Sequence, residues 1–192
     1  MVQPPIGIII MGASGSGKST LGSRLAMVLG CRFVEGDALH PAENVAKMAN
    51  GVPLNDQDRW PWLKQVASEL GRSCGEGCVV SCSALKRSYR DFIRAWAGRP
   101  VLFVHPRVDP AVLHDRLTRR PNHYMPASML ESQLAIFEAP EPDEAVLKLD
   151  GTLPIENLVA AVMDYLSVAS SSGAFVQASQ DSSKNAQPDL TS

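Results

Sequence analysis

With 192 residues, 45% of them hydrophobic and a formal charge of −2, the chain has the size and apolar content of one α/β domain. Its slightly acidic balance excludes a protein built to coat nucleic acid or an anionic membrane, and no apolar run approaches the ~20 residues of a bilayer span. No basic n-region precedes the first apolar run, so no signal peptide is expected, and Cys31, Cys74, Cys78 and Cys82 lack the partners of a zinc set. Buried, reduced thiols in a cytoplasmic protein are expected instead.

In chain order, residues 6–11 are apolar at nearly every position and read as a buried parallel strand. A helix is expected from Gly17 to about Leu29, with Leu21, Leu25, Val28 and Leu29 on one face and Gly30 at its end. Arg32–Val34 is a short second strand ending at Glu35-Gly36-Asp37, and His40-Pro41 opens a short helix. The polar cluster Asn55–Arg59 precedes a helix carrying Trp62, Leu63, Val66 and Leu70 on one face. Residues 78–82 form the third strand, followed by a helix with Phe92, Ile93 and Trp96, then a fourth strand over 101–104. Asp109-Pro110 supplies N-cap and N1 of the next helix, which runs to Arg119. The prolines at 121 and 126 break it, and Ser128-x-x-Glu131 has the form of a capping box for another. A last strand over 146–149 and an amphipathic helix over 154–168 complete the pattern. Strands alternating with helices predict a parallel sheet of about five strands, with helices on both faces joined by right-handed crossovers. Residues 169–192 are poor in apolar side chains and are expected to form a disordered tail beyond a domain of residues 1–168.

The most informative stretch is Gly12-Ala13-Ser14-Gly15-Ser16-Gly17-Lys18-Ser19-Thr20, a phosphate-binding P-loop between a strand and a helix. Its glycines free the backbone so that successive N–H groups face an anion. Lys18 reaches the terminal phosphates, and the Ser19 hydroxyl is placed to ligate Mg²⁺. The positive end of the following helix adds to the attraction for phosphate. A bound nucleoside triphosphate follows.

In an open parallel sheet, ligands bind beyond the carboxyl ends of the strands. Two further strand ends carry polar clusters, Glu35-Gly36-Asp37-x-x-His40 and Ser81-Cys82-Ser83-Ala84-Leu85-Lys86. Asp37 is the candidate general base for an attacking hydroxyl, in competition with a helix-capping role. Glu35 is a candidate holder of a Mg²⁺-bound water, and His40 is either a structural hydrogen-bonder or a substrate contact. Arg59, Lys86 and Arg90 supply a cationic side suited to a carboxylate, whereas Arg87 reads as a surface residue. Arg116, Arg119 and Arg120 lead into the proline-bounded stretch 121–126, and a lid over about 116–127 is expected to close on the nucleotide.

The segments Gly-Ala-Ser-Gly-Ser-Gly-Lys-Ser-Thr (12–20), Gly-Asp-Ala-Leu-His-Pro (36–41), Gly-Val-Pro-Leu-Asn-Asp-Gln-Asp-Arg-Trp-Pro-Trp-Leu (51–63), Cys-Ser-Ala-Leu-Lys-Arg-Ser-Tyr-Arg-Asp (82–91) and His-Tyr-Met-Pro (123–126) occur in this order. Together they resemble the small P-loop gluconokinases, as does the stretch Glu131-Ser132-Gln133-Leu134 through Phe137-Glu138-Ala139-Pro140. The resemblance covers about residues 6–168. It implies a three-layer P-loop NTPase fold of the nucleoside-monophosphate-kinase and shikimate-kinase type, with a small mobile lid. It implies ATP-dependent, Mg²⁺-assisted phosphorylation of D-gluconate at its 6-hydroxyl, giving 6-phosphogluconate for the pentose phosphate pathway, commonly in a homodimer. Residues 12–20 together with Arg116 and Arg120 then hold ATP, and Lys18, Asp37 and Arg120 are catalytic. Gluconate's carboxylate is matched by Arg59 or Lys86, and its hydroxyls by Ser83, Asn55, Asp56 and His40, with Arg90 and His123 also on the substrate. Tyr124 stands where the family more often has Phe, a departure that touches no proposed catalytic group. The nearest rivals are a shikimate-type or nucleotide kinase and, in another class, a GTPase-like switch. No Asn-Lys-x-Asp guanine-reading motif is present for the last of these.

Overall fold

The computed structural model describes residues 6–72, 77–119 and 127–171. Five strands, β1 (Gly7–Ile10), β2 (Arg32–Glu35), β3 (Cys78–Ser81), β4 (Val101–Arg107) and β5 (Val146–Asp150), form one sheet in the order β2-β3-β1-β4-β5. Every neighbouring pair is parallel. The helices are α1 (Lys18–Leu29), α2 (Ala42–Ala49), α3 (Asp56–Arg72), α4 (Arg87–Trp96), α5 (Pro110–Thr118), α6 (Ala127–Ala135) and α7 (Ile155–Ser171). None of the described helices is long and apolar enough to cross a membrane.

The apolar run 6–11 divides between two cores because successive strand residues face opposite ways. Ile9 and Met11 join Trp62, Leu63, Val66 and Leu70 of α3 and Tyr89 and Ile93 of α4. Ile6, Ile8 and Ile10 pack with Leu21 and Leu25 of α1 and Val162 and Leu166 of α7. These two faces make the three-layer α/β architecture that the strand–helix alternation predicts. A third, smaller cluster sets Leu113 of α5 and Leu130 of α6 over Ala13 of the P-loop.

Several boundaries differ from the sequence expectation. Val28 is 51% exposed, and Gly22 and Ala26 fill the buried face of α1 in its place. The polar cluster 55–59 does not merely precede α3, since residues 56–59 are its first turn. β4 continues three residues past Val104, through His105-Pro106-Arg107, because β5 pairs alongside them, with Pro106 opposite Leu149. Ser128 lies inside α6 rather than at its N-cap. α7 continues to Ser171 with Ala169 buried, so the helix passes the compositional boundary at 168. The expected tail from 172 onward and the core of the expected lid, residues 120–126, lie outside the described residues.

Candidate active site

The P-loop sits at the centre of the sheet's carboxyl edge, fixed from both sides. Met11 N–H donates to the Val104 carbonyl at 2.8 Å, Gly12 N–H to Ser83 at 3.1 Å, and Cys82 N–H to Ile10 at 3.0 Å. The loop turns through Gly15 at φ 83° and Gly17 at φ 88°, a left-handed region that Cβ-bearing residues rarely enter. Residues 14–20 line a cleft of about 580 Å³ together with Glu35, Asp37 and Arg116. Inside the loop, Lys18 Nζ donates to the Ala13 carbonyl at 3.0 Å. Arg116 is drawn into the same cleft, where its guanidinium donates to the carbonyls of Gly15 at 3.4 Å and Gly151 at 3.0 Å. Arg119 instead pairs with Asp115 on the surface at 2.8 Å. Arg120 and His123 lie outside the described residues.

Asp37 occupies a 3-10 turn, Gly36–Leu39, between β2 and α2. Three contacts fix that turn. Gly36 N–H donates to Ser81 Oγ at 3.1 Å, Trp62 Nε1–H donates to the Gly36 carbonyl at 2.7 Å, and the Ser81 hydroxyl donates to Glu35. A Cβ at Gly36 would fall 1.9 Å from the Ser81 carbonyl oxygen, so only glycine permits this approach. The turn leaves Asp37 exposed at the mouth of a second, smaller cleft. That cleft is lined by His40, Arg59, Ser83 and Gln133, among others. Ser14, Lys18 and Asp37 line both clefts, so the two meet at these side chains.

His40 stacks on Trp62 with ring centroids 4.2 Å apart, and Asn44 Nδ2 lies 3.3 Å from its Nδ1. Burial lowers its pKa to about 4, with Asp37 opposing the shift and Arg59 adding to it, so the ring is neutral at pH 7. Arg59 donates to the Tyr89 hydroxyl at 3.1 Å, the Tyr89 hydroxyl donates to Asp56, and Lys86 Nζ reaches both Asp56 oxygens at 2.8 Å. Hydrogen bonds from Lys86 and then Tyr89 hold the Asp56 carboxyl below its usual range.

Four expected substrate contacts are tied to other partners. Arg90 is fully buried, and its guanidinium donates to both Glu144 oxygens at 2.5 and 2.8 Å and to the carbonyls of Ala84, Leu85 and Glu138. It braces the loop after β3, where Ala84 has φ 42°, and its full burial keeps it from the open cleft. Asn55 caps α3: its side chain accepts from Asp58 N–H at 2.9 Å, and Asp58 accepts from Asn55 N–H at 3.1 Å. Asp56 and Lys86 pair with each other outside the lining of the acceptor cleft. Residues that the sequence reading left without a role also enter. Gln133 accepts from Ser14 N–H at 2.8 Å, and Tyr89 links Arg59 to Asp56. A polar side chain three residues from buried Leu130 on one helix was the available sign for Gln133.

Among the described residues no group of three or more His, Cys, Asp or Glu side chains forms a metal cage. The Ser19 hydroxyl, Glu35 and Asp37 nevertheless line the nucleotide cleft together. That donor set suits a Mg²⁺ that completes its shell with phosphate oxygens and water. Cys82 is fully buried and its thiol is pushed up to about 12 by desolvation, so it carries no chemistry at neutral pH.

The AAA domain family model matches residues 8–140. The gluconokinase of Gluconobacter oxydans is 49% identical over 146 residues, covering 75% of this chain and 82% of that protein. A solved gluconokinase from Sinorhizobium meliloti superposes with a TM-score of 0.80 at 42% identity, covering 89% of this chain and 97% of that one. A shikimate kinase from Aquifex aeolicus shares the fold alone, at 19% identity and a TM-score of 0.53, over 84% and 96% of the two chains. With a relative this similar over three quarters of its length, the chain belongs to the gluconokinase family.

Proposed function

We propose that this chain transfers the γ-phosphoryl group of ATP to the 6-hydroxyl of D-gluconate, giving 6-phosphogluconate and ADP. The observation that carries the reading is the meeting of two clefts at Ser14, Lys18 and Asp37. Phosphoryl transfer needs a phosphate cradle, a hydroxyl site and a base between them, and little other covalent chemistry. The P-loop amides and Lys18 hold the β- and γ-phosphates, with Arg116 at the rim. Asp37 accepts the hydroxyl proton as the oxygen attacks phosphorus. Arg59, held by Tyr89, takes the gluconate carboxylate, while Ser83 and neutral His40 meet hydroxyls. Ser19 and Glu35 would hold Mg²⁺, which when bound would supply charge neutralisation at the transferring group. Arg120 and His123, outside the described residues, are assigned to phosphate and substrate on the family likeness alone. By the same family membership we read the working unit as a cytoplasmic homodimer.

The test is coupled ADP release with MgATP and gluconate, shikimate, AMP, glycerate or no acceptor. Turnover with gluconate alone is expected. Turnover only with another acceptor, or ATP hydrolysis indifferent to acceptor, overturns the reading in favour of a different kinase or a switch.

A further inference from the structure

The side chain of Gln133 lines the acceptor cleft beside Ser14, one of the residues at which the two clefts meet. α6 is anchored by Leu130, which is 2% exposed and packs with Leu134 against Ala13 and Leu113. This anchoring brings the helix across the P-loop. From it, Gln133 Oε1 accepts the Ser14 N–H at 2.8 Å. A backbone N–H only donates, so the carboxamide oxygen must face it, and Nε2 with its two hydrogens points away. Nε2 makes no hydrogen bond among the described residues. Gln133 also lines the acceptor cleft with Asp37, Arg59 and Ser83.

We propose that Gln133 is an acceptor-binding residue, whose Nε2 donates to a hydroxyl oxygen of the polyhydroxy acid while Oε1 holds Ser14 of the P-loop. This rests on gluconate as acceptor. Elsewhere in the lining Arg59 is a cation for a carboxylate, Asp37 is an acceptor of protons, and Ser83 and neutral His40 meet hydroxyls. Gln133 adds a neutral donor whose direction is set by the nucleotide-binding loop itself. The Ser14 amide, by donating to Oε1, thereby aims the acceptor contact. Acceptor and nucleotide are thus registered against one another through a single side chain, which is what in-line transfer demands.

The experiment compares the full-length wild-type protein with Gln133→Glu and Gln133→Met, measuring KM for gluconate and for ATP, Tm, and kcat/KM on a set of monodeoxygluconates. Gln133→Glu keeps an oxygen for Ser14 N–H but loses the donor and sets a negative charge beside an anionic acceptor. Its gluconate KM is expected to rise roughly ten-fold or more, with Tm and ATP KM within about two-fold or a degree or two of wild type. One deoxy position should cost the wild type about five-fold or more in kcat/KM and cost Gln133→Met no further loss, since the contact is already gone. A Gln133→Glu protein with wild-type gluconate KM, or deoxy analogues penalised equally in wild type and Gln133→Met, overturns the inference while leaving gluconate as the acceptor. A wild-type protein inactive on gluconate overturns both.

Discussion

Lys86 Nζ lies 2.8 Å from each carboxylate oxygen of Asp56, and the Tyr89 hydroxyl donates to that same carboxylate. The hydrogen bond to Asp56 holds the Lys86 ammonium above its usual pKa, so the pair stays ionised throughout the neutral range. Two charges that the family resemblance matched to gluconate are therefore paired with one another. Arg59, on the far side of Tyr89, remains, with Lys18 at the junction, as a cation lining the acceptor cleft.

Tyr89→Phe removes the hydroxyl that ties Arg59 to Asp56 without touching either charge. Its gluconate KM should rise about three- to ten-fold, the worth of one hydrogen bond, while ATP KM stays unchanged. Arg59→Lys should raise it further, because an ammonium loses the two-pronged grip on a carboxylate. Steady-state kinetics with each substrate varied in turn separate these effects. Equal shifts in both KM values contradict the assignment.

Arg90→Met tests a structural role. It leaves the buried Glu144 carboxylate with only Arg94 at 3.9 Å and the Glu141 N–H as partners among the described residues, and losing one partner of a buried pair costs about 3–5 kcal/mol. For a protein of this size that lowers Tm by roughly 6–20 °C, readable by calorimetry. An unchanged Tm with a raised gluconate KM would return Arg90 to the substrate site.

His40 and His105 both have pKa values lowered to about 4, chiefly by burial. The unfolded chain, with histidines near 6.5, binds more protons than the folded one between those values, so stability rises with pH there. The contribution is fully present above about pH 6.5 and is lost progressively as pH falls toward 4. Each histidine contributes on the order of 1–3 kcal/mol over that window. Urea melts from pH 7 to pH 4.5 should show the decline, and His105→Phe should flatten it. A flat profile in the wild type contradicts neutral burial of both rings.

The strands and the P-loop were legible because their signals are local. Ile6–Met11 is apolar on both faces and runs straight into a glycine-rich turn, which leaves little choice of fold. The position of Asp37 beside the P-loop was legible for a similar reason, since it follows a strand that ends at the same edge of the sheet. What sequence could not provide was the pairing of side chains far apart in the chain. Arg90 looked like a ligand-binding cation because nothing near it in sequence announces Glu144, 54 positions away. Asn55 looked like a hydroxyl reader because a helix cap and a polar binding turn use the same residue types. β4 outran its expected end because Pro106 reads as a stop until β5 is laid beside it.

The central claim is that Asp37 removes the proton of the attacking hydroxyl at the junction with the P-loop. The most direct measurement is kcat of Asp37→Asn with gluconate, alongside ATP binding by the same variant. Asparagine keeps the shape and loses the base, so kcat should fall by about 10²–10⁴-fold with ATP affinity within about two- to three-fold of wild type. A kcat within a few-fold of wild type would show that the proton leaves by another route and that Asp37 serves only to shape the turn.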